Sequence, residues 1–153
     1  MLRLLTISFL FFCFSGLKSQ DLIEVNGLVC TSDSLVFTGE KLVYFHNGNL
    51  AARYQFENGL LNEQVVFYFE GGGIRETGHY LNNEKHGVWT SYNQKGEVAA
   101  KGEFIEGEKD GRWLVFDEKG TCRLEVFYDI GKPMGYWTLF NEVADVLDSR
   151  YYP

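Results

Sequence analysis

Histidines and acidic side chains are the groups most often used in catalysis and metal binding, and both functions need such groups in converging positions. The sequence contains three histidines, His46, His79 and His86. His79 and His86 could be arranged with Glu84 around a metal ion, but their spacing matches no metal-ligand motif. The chain also lacks the H-E-x-x-H, C-x-x-C and G-x-S-x-G motifs. We therefore interpret the histidines as surface residues, and we predict no metal, no cofactor and no enzymatic activity.

Two further segments have the composition of ligand-binding loops. The glycine-rich segment EGGGI, residues 70–74, could cradle a phosphate only if a helix began directly after it, whereas the pattern there is that of a strand. Glu106, Glu108 and Asp110 could attract Ca²⁺, but the spacing of an EF-hand loop is missing. Both segments are predicted to be solvent-exposed turns.

The first 19 residues have the pattern of a secretory signal. Arg3 precedes an apolar run from Leu4 to Phe14, and small and polar residues follow it. The run is shorter than the ~20 residues of a membrane-spanning helix. A lipoprotein anchored through Cys13 is the alternative, and the bulky Phe12 directly before that cysteine argues against it. We predict cleavage near residue 19 and an exported bacterial protein, periplasmic or extracellular.

Charge narrows the class of partner. Removing residues 1–19 takes Arg3 and Lys18 from the 14 basic residues and nothing from the 21 acidic residues, so the remainder carries a net charge of −9. Such a chain repels phosphate backbones and anionic lipid surfaces. No second hydrophobic segment of spanning length follows the first. We predict no nucleic-acid partner and no transmembrane segment, with cell-envelope association still possible.

A 24-residue repeat organises the rest of the chain. The phrase GVWTSYNQKG, from Gly87, returns as GRWLVFDEKG, from Gly111. Four sets of positions recur at this interval: the glycines Gly48, Gly72, Gly96 and Gly120, with Ala144 in the fifth place; the tryptophans Trp89, Trp113 and Trp137, with Lys41 and Val65 in the earlier places; the rings Tyr44, Tyr68, Tyr92, Phe116 and Phe140; and the rings Phe56, Tyr80, Phe104, Tyr128 and Tyr152. The predicted units are 39–62, 63–86, 87–110, 111–134 and a truncated 135–153.

Each unit has the pattern of a β-hairpin. Its second half alternates apolar and polar residues with period two, as in the segment 98–104, and its first half is rich in β-branched and aromatic residues. Glycine, or Asn83 in one unit, falls at both turns, where a positive φ is expected. We therefore predict an all-β fold, an elongated antiparallel meander of about ten strands in stacked hairpins. Residues 20–38 lie outside the register and are predicted to cap the amino-terminal end.

The register within each hairpin has two solutions. A plain four-residue turn sets Tyr92 opposite Glu97 and Trp89 beside Ala100, whereas a β-bulge pairs Tyr92 with Val98 instead. We favour the plain turn, since the small Ala100 leaves room for an indole. In either solution, one aromatic column lies on the less buried face.

The linear stack also decides the state of the two cysteines that follow the signal. Cys30 belongs to the cap and Cys122 to the fourth unit, so their separation exceeds the ~6 Å between α-carbons that a disulfide allows. We predict that they are not bonded to each other and that Cys122 is a small buried hydrophobic residue.

The repeat pattern G-x-W-x-x-[YF]-x-x-x-G followed by [FY]-x-x-G resembles the MORN-variant repeat, in particular that of bacterial proteins called YwqK-family antitoxin components. The lead-in NGLVCTSDSLVFTGEKLVYFHNG, residues 26–48, is similar to the way such proteins enter their first repeat. The resemblance covers residues 26–153. It implies a β-hairpin array that serves as an interaction surface and, for the members called antitoxins, neutralisation of a partner toxin.

Three functional hypotheses follow. The first is an exported, non-enzymatic scaffold that presents a sheet face to another protein, and the second is its narrower form, a toxin-neutralising or immunity-type protein. The third is a carbohydrate or cell-envelope binder that uses the aromatic columns. The candidate binding residues are Trp89, Trp113, Trp137, Tyr68, Tyr92 and Phe116, although cross-strand aromatic pairing within the sheet is their more ordinary role.

Overall fold

The computed structural model describes residues 21–153, and all the regular secondary structure in that range is β-strand. Within that range there is accordingly no apolar helix of membrane-spanning length. The predicted signal, its cleavage point and Cys13 fall outside the described residues.

Thirteen strands follow one another along the described chain. Strands β1 (Leu22–Val25) and β2 (Leu28–Thr31) form a separate two-stranded sheet. Five larger hairpins follow: β3 (Gly39–Tyr44) with β4 (Leu50–Glu57), β6 (Glu63–Tyr68) with β7 (Ile74–Leu81), β8 (Glu84–Tyr92) with β9 (Val98–Ile105), β10 (Glu108–Phe116) with β11 (Cys122–Asp129), and β12 (Lys132–Phe140) with β13 (Val146–Tyr152). The short β5 (Leu60–Leu61) pairs with β4.

The main sheet is an antiparallel meander, as the repeat predicted. Its strands lie side by side in chain order from β3 to β13, so each hairpin pairs with the one before and the one after it. The sheet has eleven strands instead of the expected ten, because the chain pairs briefly with β4 at β5 before it reaches β6.

The two turns of each unit differ in construction. The turn inside a hairpin carries the predicted positive-φ glycine, for example Gly96 at φ 84°. The turn between hairpins has two successive left-handed residues, such as Asn82 and Asn83 at φ 52° and 73°, which is the geometry of a two-residue type I′ connection. The prediction that Asn83 replaces glycine for its backbone conformation is confirmed.

The register is the bulged one, so the preferred plain turn was wrong. Ser91 pairs with Ala100 and Tyr92 with Val98, which leaves one extra residue between the two pairs. The reason lies in the turn, where the Asn93 N–H donates to the Glu97 carbonyl at 2.9 Å and closes a loop longer than a plain four-residue turn. A longer loop of this type is accommodated by a bulge in the adjoining strand.

Glu63 is a strained exception to the glycine pattern. It lies 24 residues before Gly87 and has nearly the same φ, 66° for both. The strain coincides with a break in pairing, because β5 and β6 are separate where the matching β8 is continuous. A left-handed conformation costs a residue with a Cβ roughly 1–2 kcal/mol.

Replacing Glu63 by glycine is therefore expected to raise the free energy of unfolding by about 1 kcal/mol, since part of the relieved strain is offset by greater freedom in the unfolded chain. Urea unfolding of Glu63→Gly against the parent protein measures the effect. Glu63→Ala is the control, because it removes the same charge and keeps the Cβ. An equal gain in the alanine variant would show that backbone strain is not the cause.

The β1–β2 hairpin packs against the first hairpin of the main sheet. Leu22, Phe37 and Phe56 form a buried cluster between the two sheets. The backbones are also joined, since the Val29 N–H donates to the Gly59 carbonyl at 2.8 Å and the Gly59 N–H donates to the Phe37 carbonyl at 2.7 Å. The first repeat is thus covered both by apolar packing and by hydrogen bonds.

The two cysteines of the described chain are free thiols. Cys30 lies buried in the capping hairpin, in β2, and Cys122 begins β11 in the fourth hairpin of the main sheet. The expectation that Cys122 is buried was wrong. It is only partly buried, because it pairs with Phe116 at the bulge, where the alternation of buried and exposed positions is interrupted.

Candidate binding surface

The histidines, the acidic residues and the glycine-rich segment that could take part in catalysis or ligand binding lie on strands or in turns of the main sheet. His79 and His86 lie directly opposite each other on β7 and β8, and both are exposed. Among residues 21–153 there is no group of three or more His, Cys, Asp or Glu side chains that could hold a metal ion. Glu106 lies in a turn, while Asp110 lies on β10 and accepts a hydrogen bond from the Ile130 N–H at 3.1 Å. The glycine-rich segment 70–74 is the turn between β6 and β7, as predicted.

The tryptophans join each hairpin to the preceding one. Trp89 is only 2% exposed, and its indole lies flat against Gly78 of the hairpin before it. A Cβ built on Gly78 would lie 2.2 Å from the indole atoms, so only glycine leaves room for the ring. The indole N–H donates to the His79 carbonyl at 3.2 Å. Each of these contacts ties one unit to its neighbour.

The same arrangement recurs along the sheet. Trp113 lies against Gly102 and donates to the Glu103 carbonyl at 3.1 Å. Trp137 donates to the Phe127 carbonyl at 3.1 Å. In all three cases the acceptor is ten residues earlier, on the last strand of the preceding hairpin.

The three indoles belong to a continuous row of rings, which we call the aromatic ladder. Successive centroids are 4.7 to 6.3 Å apart, and most neighbouring rings meet edge to face, the favoured geometry for aromatic pairs. The ladder comprises Tyr80, Trp89, Phe104, Trp113, Tyr128, Trp137 and Tyr152. Its rings are occupied mainly with one another, and the ladder holds the sheet together.

Two lysines cover part of this ladder. The Lys85 ammonium lies 3.7 Å from the centroid of Trp89, and the Lys109 ammonium lies 4.6 Å from that of Trp113, which gives cation–π attraction. Burial lowers the pKa of Lys85, the nearby charge of Lys109 lowers it further, and the carboxylate of Glu76 opposes the shift. The two lysines therefore occupy the indole faces on which the ring of a bound ligand would otherwise stack.

A second aromatic row has a different environment. We call it the bulge stripe, and it consists of Tyr44, Tyr68, Tyr92, Phe116 and Phe140. Each ring pairs across the bulge with an aliphatic residue or cysteine, as Tyr68 does with Ile74 and Tyr92 with Val98. None of the five makes a ring contact with another aromatic residue in the described chain. Tyr44 is 58% exposed and the other four are partly exposed, so one stripe of apolar surface crosses all five hairpins.

Comparison with known proteins supports the repeat. Residues 37–58 and 85–106 match the family model of the MORN repeat variant. Two of the five hairpins therefore match the MORN repeat variant. The matched segments contain β3 with β4 and β8 with β9. No curated protein sequence matches the chain, and its resemblance to YwqK-family antitoxin components stays a prediction.

Two solved structures are similar to the chain at low scores. One is the crystal structure of accessory secretory proteins 1, 2 and 3 in Streptococcus pneumoniae, with a TM-score of 0.40 and 15% identity over 81% of this chain and 23% of that chain. The other is a GtfA/B complex bound to UDP and GlcNAc, with a TM-score of 0.29 and 14% identity over 83% of this chain and 27% of that chain. The present chain spans about a quarter of the length of each, and likenesses at these scores add nothing about its function.

The edge of the sheet beside the bulge stripe is built from polar turns that join neighbouring MORN-variant-like hairpins. The Asn93 side-chain oxygen accepts the N–H groups of Lys95 and Glu97, at 2.9 and 3.0 Å. Lys95 then reaches Glu118 of the next hairpin at 3.4 Å. An open depression at this edge is lined by Phe69, Asn93, Gln94, Lys95 and Glu118.

Asp117 and Asn141 repeat the role of Asn93 in the following two turns. Desolvation pushes the pKa of Asp117 upward, but hydrogen bonds from the Thr121 and Lys119 backbone and from Arg123 outweigh it and lower the pKa. Sequence reasoning missed this column. The signal was available, because residues 93, 117 and 141 are Asn, Asp and Asn, the types that cap turns with their side chains.

The six predicted binding residues therefore fall into two groups in the structure. Trp89, Trp113 and Trp137 belong to the aromatic ladder, whereas Tyr68, Tyr92 and Phe116 belong to the bulge stripe. Trp89 is buried and the other five are partly exposed, so the groups differ in their contacts: the three tryptophans pack on neighbouring rings and the other three do not.

Proposed function

We propose that the protein is a non-catalytic scaffold that binds another protein through the bulge stripe. The observation that carries the proposal is the contrast between the two aromatic rows. Apart from the buried Trp89, both rows are at least partly exposed, but the ladder rings contact one another, while the stripe rings have no aromatic partner in the described chain and Tyr44 is 58% exposed. Exposed aromatic and aliphatic rows of this kind are typical of protein–protein interfaces.

The charges beside the stripe indicate the chemistry of the partner. Glu70, Asp117, Glu118 and Glu142 are in the turns at this edge, and the chain beyond residue 19 carries a net charge of −9. Ion pairs with Lys95, Lys119 and Arg123 already engage Glu118, Glu142 and Asp117. The negative charge that favours a basic partner is therefore that of Glu70 and of the wider surplus of acidic residues. A complementary partner would offer apolar groups to the stripe and basic groups to its rim.

A paired set of variants tests this proposal. Tyr92→Ser combined with Phe116→Ser removes two central stripe rings, while Val88→Ser removes a 49% exposed side chain outside the stripe. We expect affinity capture from the cell envelope to recover the same partner with the parent protein and with Val88→Ser. Recovery with the stripe variant should fall at least about tenfold, since interface aromatic residues are frequent hot spots.

The test needs a folded stripe variant, which a cooperative thermal transition would verify. A partner that is retained equally by both variants would exclude the stripe as its binding site. The identity of a stripe-dependent partner then decides the narrower hypothesis, because a toxin would support a neutralising, immunity-type role.

Export is the second part of the proposal and is supported by the signal pattern of residues 1–19. The intact mass of the protein purified from its natural host tests it. Loss of about 19 residues supports export, and a full-length chain found in the cytoplasm contradicts it.

The structure favours a protein partner over a carbohydrate for a specific reason. Sugars stack on open ring faces, but Trp89 is 2% exposed and Lys85 lies over its ring at 3.7 Å. Trp113 is similarly covered by Lys109. Glycan binding that is lost in Trp113→Ala but kept in Tyr92→Ser would instead support the carbohydrate hypothesis.

A further inference from the structure

Strand β13 forms one edge of the main sheet. It pairs with β12 on one side, and no other strand of the described chain lies on its other side. Its first six residues are exposed, and its sequence is VLDSRYY. An edge strand of this kind offers free backbone donors and acceptors to another strand.

The backbone around Ser149 is oriented for such pairing. The Ser149 N–H donates at 2.9 Å to the carboxylate of the neighbouring Asp148, so it is directed away from the β12 backbone. Thr138, opposite Ser149, meets it through the side-chain hydroxyls at 3.5 Å. A second strand at this edge could replace the local Asp148 contact with a backbone hydrogen bond.

The side chains on this edge are complementary to themselves. If a second β13 lies antiparallel with Ser149 opposite Ser149, then Asp148 of each copy faces Arg150 of the other. Leu147 of each copy likewise faces Tyr151 of the other. Neither Asp148 nor Arg150 forms an ion pair within residues 21–153, so both charges are available for a cross-strand pair.

In this arrangement, the side chains that meet across the edge also lie on the same face of the sheet. Asp148 pairs with Leu139 and Arg150 with Trp137, so both charges lie on the ladder face. Tyr151 lies on the opposite face and stacks on Tyr136, with centroids 5.1 Å apart. The second copy's Leu147 would extend that exposed pair. We propose that two copies of this protein associate edge to edge through β13, with a two-fold axis at Ser149.

One residue argues for a second copy over a further hairpin of the same repeat. Arg150 lies 24 residues after Val126 and 48 after Gly102, in the column on which the next tryptophan would pack. Val126 holds this column one hairpin earlier, and Trp137 still donates to the Phe127 carbonyl there, so a Cβ alone does not exclude an indole. The longer side chain of Arg150 is a larger obstacle, because it lies on the ladder face where a further indole would pack. Its guanidinium instead lies over Tyr152 at 5.1 Å.

The joint is small. A bulge places Leu147 between two ladder pairs and bends the strand there, so about five residues of each copy take part. This is below the ~1,200 Å² that stable interfaces bury. We therefore expect a reversible dimer with a Kd in the range of about 1–100 μM.

Sedimentation of the purified protein as a function of concentration, up to about 1 mM, tests the dimer. Asp148→Arg sets like charges opposite each other twice and should weaken association at least about tenfold. The double variant Asp148→Arg with Arg150→Asp exchanges the charges and should restore it. A monomer throughout the range, or no difference between the single and the double variant, would overturn the proposal.

Cross-linking tests the register independently of affinity. An introduced thiol at Ser149→Cys would meet its own copy across the axis at the ~5.5 Å of a hydrogen-bonded pair, within reach of a disulfide. Leu147→Cys is the matched control, because that position faces Tyr151 of the other copy and not itself. We expect an oxidised dimer only with Ser149→Cys. Equal cross-linking by both variants would contradict the register, and both carry the same native Cys30 and Cys122.

Discussion

Replacing Trp89 by alanine is expected to lower the free energy of unfolding by about 3–5 kcal/mol, the range for removing a large buried aromatic side chain. Trp89 is 2% exposed and contacts rings of three strands, those of Phe67, Tyr80 and Phe104. It also supplies the hydrogen bond to the His79 carbonyl. Its loss removes a buried side-chain connection between the second and third hairpins, which are also joined by the β7–β8 backbone pairing.

Urea unfolding measured by circular dichroism, together with the fluorescence of the remaining tryptophans, would give the loss. Because repeat arrays are held together by neighbour contacts, we expect the two signals to coincide in the parent and to separate in the variant. Tyr136→Ala is the control, since it removes a ring that is 62% exposed and should cost less than about 1 kcal/mol. Comparable losses in the two variants would exclude the ladder as the main source of stability.

Replacing Gly78 by alanine is expected to be nearly as damaging, at about 3 kcal/mol, the upper end of overpacking. The added Cβ would lie 2.2 Å from two indole carbons of Trp89. The indole cannot retreat easily, because its other side contacts neighbouring rings and its N–H is bound to the His79 carbonyl.

A double-mutant cycle makes this prediction specific. In a Trp89→Ala background the Gly78→Ala change should cost less than about 1 kcal/mol, because the obstructing ring is gone, and the two effects should be strongly non-additive. Gly71→Ala is a control in open space, since no atom lies within 4 Å of a Cβ there. Additive losses would show that Gly78 is needed for another reason, such as backbone conformation.

Much of the fold could be predicted from spacing alone. A glycine that recurs every 24 residues fixes a turn, and the alternating residues between two such turns can form only a half-buried strand. Since each unit repeats the last, the order of strands follows the chain. The break between β5 and β6 was less predictable. It coincides with Glu63, whose backbone conformation the sequence pattern marks only as an exception.

The candidate surface was only partly predictable, because the assignment of an aromatic column to a face depends on a single bulge residue. The sequence identifies both rows of rings. It does not reveal the extra residue on the opposite strand between the Ser91–Ala100 and Tyr92–Val98 pairs, and this bulge changes the partner of every stripe ring. The covering lysines were also missed. Lys85 and Lys109 are charged residues at 24-residue spacing, and nothing in their type shows that they lie over indole rings.

The chain order of the hairpins has a consequence for assembly. Each hairpin pairs with the one before it, and the hydrogen bonds between hairpins run both ways: the Trp89 indole donates back to the His79 carbonyl, while the Asn47 and Asn49 amides donate forward to the Glu70 carbonyl. A chain that appears amino end first thus meets a finished template at every step, beginning with the β1–β2 cap. Hairpins are added one after another from the amino end. Deleting hairpins from the carboxyl end therefore leaves the contacts among the earlier hairpins in place.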